Sequence, residues 1–188
     1  MQRREALKSL AILTGGAVLI PACNFEKEDI LAAYSNLQIT RTLQTLLGQI
    51  ADTIIPPAQL KGASDLAVQD FILVMVNDCL DKDQQTQFSK GLQEFNAFSK
   101  KTGGANFSKL EPTAKEKVIT EGLAIPADAT DENLKSIREF LSLTKRFTIQ
   151  GFMMSEYIMT EVKPYSLIPG TYNGEVLISS ISNMKING

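Results

Sequence analysis

Residues 40–55 read TRTLQTLLGQIADTII, and Leu46, Leu47, Ile50 and Ile54 follow Leu43 at offsets of three, four, seven and eleven. A helix turns once in about 3.6 residues, so these side chains share one face and form an apolar stripe. A strand would need alternation, and no alternating run of useful length occurs before residue 175. The helical period therefore sets the fold class. Pro56-Pro57 ends the first helix. Residues 65–80 predict a second, whose nearly continuous FILVMV core suggests burial on most sides. Asp81 caps a third helix running to about Lys100, with Phe88, Leu92, Phe95 and Phe98 on one face, and Gly103-Gly104 breaks it. Pro112 suits the first turn of a short helix ending near Gly122. After the loop AIPADATD, Asp131 caps a long helix carrying Leu134, Ile137, Leu141 and Phe147, with room to continue past Gly151 towards Val162. Pro164, Pro169-Gly170 and Asn173-Gly174 are turn signals, so the tail is expected to be an irregular arm. The reading is all-α: one compact helical domain over residues 40–188.

The first forty residues follow a different logic. Arg3, Arg4 and Lys8 precede a mildly apolar run from Leu10 to Ile20, too short to span a bilayer, which needs about 20 apolar residues. Arg3-Arg4 with Leu7 and Lys8 resembles a twin-arginine export signal, the route for proteins that fold before crossing. The run closes on Ile20-Pro21-Ala22-Cys23, which resembles a lipobox, with Cys23 as the acylated residue. Residues 1–22 then form a removable signal, and residues 23–39 a lipidated N-terminus with a polar, solvated tether. A plain secretory signal with a chance cysteine, or a single N-terminal anchor, are the alternatives. The expected location is the periplasmic side of a bacterial cell envelope, held by lipid.

Composition removes whole classes of chemistry. The sequence has no histidine, which takes away the usual general base, the commonest zinc ligand and the proximal ligand of most haems. Besides Cys23 only Cys79 remains, and one thiol makes neither an intrachain disulfide nor an iron–sulfur site. Lying in FILVMVNDCL, Cys79 is expected to be buried and inert. No phosphate-binding glycine loop or zinc-protease motif is present. A net charge of −2 gives no basic surface for nucleic acid. Asp78, Asp81 and Asp83 bracket a helix start, where capping and the helix dipole account for acidic residues without catalysis. No catalytic residue, metal ligand or cofactor-binding residue is assigned to this chain.

One stretch remains, TIQGFMMSEYIMTEVKPY around Gly151, with three methionines, aromatics and Glu156 in an apolar surround. It reads as core, with methionine filling gaps and glycine admitting a close helix, or as an adaptable partner-binding face.

IADTIIP at residues 50–56, GFMMSE at 151–156 and the tail YSLIPGTYNG at 165–174, in this order, resemble the gluconate 2-dehydrogenase subunit 3 family. The resemblance covers residues 40–178. It implies a small non-catalytic subunit that carries the export signal for a folded catalytic partner. That partner would be an FAD-containing oxidoreductase of the glucose–methanol–choline type, passing electrons to a haem-bearing cytochrome c subunit or protein. Candidate interface residues are Gly151, Phe152, Glu156, Tyr165, Pro169, Gly170 and Tyr172. Phe152, Met153 and Met154 depart from the family's usual G-Y-F-T-S-E, and Glu175 stands where a cysteine often follows the tail motif. The partner's substrate is therefore not implied. The competing expectation is a free-standing envelope lipoprotein, binding or structural, with no enzyme partner.

Overall fold

A computed structural model describes residues 31–163 together with 174, 175 and 177. Five α-helices account for most of it: α1 (Arg41–Ile54), α2 (Val68–Cys79), α3 (Lys82–Gly103), α4 (Pro112–Leu123) and α5 (Glu132–Met153). Short 3-10 turns cover Ala32–Tyr34, Ser64–Leu66 and Phe107–Lys109, and a π turn covers Ile158–Val162. There is no strand among the described residues, and the chain is all-α. None of the described helices is long and apolar enough to cross a membrane.

The helix ends are closed by local side chains and turns. The Thr40 hydroxyl accepts from the Leu43 amide at 3.3 Å, Asp81 accepts from Gln84 at 2.9 Å, and Asp131 accepts from Asn133 at 2.8 Å. Each satisfies a donor that a helix start leaves orphaned. Pro112 opens α4, and Gly104, at φ 86°, ends α3 in the left-handed region that glycine enters without strain.

Helix α5 is the hub. It packs along α3 and also meets α1, α2 and α4. At Gly91 of α3 a Cβ would collide with the Ser136 carbonyl and Phe140 Cβ, so the two backbones touch there only because glycine has no side chain. Around this contact lies an aromatic cluster: Phe140 meets Phe88 at 5.2 Å and Phe95 at 5.6 Å between centroids, and Phe107 meets Phe95 at 5.2 Å. All four rings are fully buried, each contributing roughly 2–3 kcal/mol by removal from water.

Four expectations need correction. The segment read as a solvated tether is part of the domain from Leu31 on: Tyr34, Leu37 and Ile39 are buried. Asn36 fixes it, with its amide N–H donating to Asn77 Oδ1 and its side chain to the Asn77 carbonyl, while Lys82 Nζ donates to Asn36 Oδ1. The second helix begins at Val68 rather than Asp65, because Ala67 takes a left-handed φ of 52° and separates it from the Ser64–Leu66 turn. It is not buried on most sides either: Ile72, Leu73 and Val76 are, but Val74 is 45% exposed. Cys79 is exposed, since it is the last residue of α2, where Leu80 turns the chain extended towards α3.

Candidate partner-docking site

The C-terminal end of α5 is built by one face that packs and one that does not. Thr144, Phe147, Thr148, Gly151 and Phe152 point inward. A Cβ on Gly151 would approach Phe71 Cδ1 to 2.6 Å, so α2 crosses α5 closely there. On the outer side, Ile149 and Met153 are 45% and 39% exposed, one turn apart in the row that begins at Lys145. Met154, 65% exposed, follows at the helix end.

The helix does not run on to Val162. Ser155 stops it, its hydroxyl donating to the Phe152 carbonyl at 2.7 Å and accepting from the Ile158 amide at 3.3 Å. A serine that bonds its neighbours' backbone competes with the helical ladder, and the chain restarts in the wider π turn. Ile158 plugs that turn into the core. Tyr157 is held from the other side by Lys61, whose Nζ lies 4.6 Å from the ring centroid. The loop carrying Lys61 is in turn fixed by Asp52 of the IADTIIP stretch, which accepts from the Ser64 amide at 2.7 Å and from the Ser64 hydroxyl.

The expected interface residues divide accordingly. Gly151 and Phe152 belong to the core, so the inward half of GFMMSE is structural. Glu156 is exposed rather than enclosed by apolar neighbours, because it follows the break. Tyr165, Pro169, Gly170 and Tyr172, and likewise Arg3, Arg4 and Cys23, lie outside the described residues. Ile149 was not among the expected residues, although its spacing of four from Met153, out of phase with the buried Thr148 and Phe152, carries the signal.

A cleft of about 430 Å³ beside α1 holds Asp52 and Asp70. Asp52 is engaged by Ser64, and Asp70 Oδ1 accepts from the Tyr34 hydroxyl at 3.2 Å and from Gln44 Nε2. No group of three acidic, cysteine or histidine side chains suited to a metal ion occurs among the described residues.

The profile of the gluconate 2-dehydrogenase subunit 3 family matches residues 43–170, from the first turn of α1 past the π turn. The chain belongs to that family. The subunit 3 match takes in all five helices and the exposed end of α5. The family name is that of a dehydrogenase subunit, which points to an accessory member of a dehydrogenase complex. A search of curated proteins gives no significant match. A search of solved structures gives none either.

Proposed function

We propose that this chain is the non-catalytic small subunit of an FAD-dependent sugar or alcohol dehydrogenase of the glucose–methanol–choline type, acting on the periplasmic side of a bacterial envelope. Its roles are export, assembly and membrane attachment of the flavoprotein. The observation that carries the reading is the subunit 3 match over residues 43–170. The Arg3-Arg4 leader supports export with a folded partner, and Cys23 supports a lipid anchor. A sequence without histidine supports placing the flavin chemistry and the haem on partner chains, a flavoprotein and a cytochrome c. What this chain supplies is a rigid helical body with apolar side chains left outside it, the kind of surface a second subunit covers.

The test is purification of the tagged full chain from native membranes. A flavoprotein should co-elute in fixed ratio, identified by its FAD absorbance and mass, while the chain expressed alone should reduce no dye with sugars or alcohols. A chain that elutes free of flavoprotein, or that binds flavin by itself, sinks the proposal. Arg3→Lys with Arg4→Lys should leave precursor in the cytoplasm, and Cys23→Ala should abolish fatty-acid labelling.

A further inference from the structure

We infer that the outer row of α5, formed by Lys145, Arg146, Ile149 and Met153, docks an apolar patch bearing carboxylates on the flavoprotein partner. This rests on the proposed function and names the chemistry of its contact.

Lys145, Ile149 and Met153 stand at i, i+4 and i+8, a straight row on a helix, and Arg146 lies beside it. All four are exposed. Neither cation is ion-paired within the described residues, whose two salt bridges join Lys117 to Glu121 and Lys135 to Glu132. Arg146 is also oriented: its guanidinium carbon sits 4.5 Å from the centroid of the Phe147 ring. Two unpaired cations beside two large apolar side chains, in a chain of net charge −2, make a local field opposite in sign to the whole. A carboxylate-bearing surface complements it and is steered towards it.

A protein fits this row better than a bilayer. An interfacial helix sinks a broad apolar face into the headgroup boundary, whereas the broad apolar face of α5 is already buried against α2 and α3. Methionine and arginine are both enriched where proteins meet.

The test places a photoreactive phenylalanine analogue at Met153 of the full chain in its native membrane, with both cations intact. The adduct should map to a flavoprotein segment carrying Asp or Glu among apolar residues. Lys145→Glu with Arg146→Glu should then lower co-eluting flavin about tenfold. Lys145→Arg with Arg146→Lys should restore it, and Lys117→Glu on α4 should not change it. Thermal unfolding of each variant is read first; if the charge reversal lowers Tm, the crosslink decides. Adducts on lipid or on a segment without carboxylates overturn the inference, as does unchanged flavin in a folded reversal variant. A wild-type chain that retains no flavoprotein removes the proposed function, and this inference with it.

Discussion

Gly151 of α5 lies against the ring of Phe71 on α2, so closely that a Cβ at position 151 would come within 2.6 Å of Cδ1. Gly151→Ala must therefore push the ring or the helix aside, and overpacking of this kind costs about 1–3 kcal/mol. The ring is only half-buried and can swing outward, which favours the lower part of that range. Thermal unfolding should show the loss, and Phe71→Ala combined with Gly151→Ala should show less than the two single effects together.

Leu37 tests whether the segment before α1 belongs to the domain. It is 1% exposed, and truncating a buried leucine costs about 2–5 kcal/mol. Leu37→Ala should lower the urea midpoint markedly. A change within error would return residues 31–39 to the role of a loose tether.

Asp52 should matter for stability and not for chemistry. Its carboxylate holds the Ser64 amide and hydroxyl, and Asp52→Ala leaves those donors without it at a cost of about 1–3 kcal/mol. The near-ultraviolet circular dichroism of Tyr157 should change too, because the same loop carries Lys61 over its ring.

The hydroxyls of Thr144 and Thr148 are buried on the inner face of α5 with no hydrogen-bond partner among the described residues. An unpaired buried hydroxyl opposes folding, and an apolar group of the same shape removes that penalty. Thr144→Val and Thr148→Val should each raise Tm, by an amount equivalent to about 1 kcal/mol. A fall in both would mean that the hydroxyls have partners.

Burial, and then the neighbouring Asp70 carboxylate, raise the pKa of Tyr34 above its usual 10.0. The folded state thus favours the neutral phenol. Its contribution is complete below the unfolded pKa and is lost as pH rises through the folded value. Stability should therefore fall above about pH 10 more steeply in the wild type than in Tyr34→Phe, with phenolate absorbance following unfolding.

The helices were legible because their signals are local. Asp81, Pro112 and Asp131 each act within three or four residues of a helix start, and the Leu43–Ile54 stripe needs only the helical period. The packing of residues 31–39 was not. Tyr34, Leu37 and Ile39 follow no helical period and find their places through Asn77 and Lys82, far along the chain. Cys79 misled for a related reason, since apolar neighbours in sequence do not decide where a helix outruns its core. The stretch around Gly151 presented core and surface as alternatives. Successive residues of one helix supply both: Phe152 turns inward and Met153 outward.

The hydrogen bonds between Asn36 and Asn77 join positions 41 residues apart. Closing a chain loop of that length costs about 3 kcal/mol in entropy, so these bonds are expected to form after α2 and the start of α3 have met. On a ribosome, Tyr34, Leu37 and Ile39 emerge long before Lys82 does. Residues 31–39 are thus the seam of the domain, sewn shut late, and the state of that seam reports whether the helices behind it have assembled. A probe of completed folding would need to inspect nothing beyond this seam.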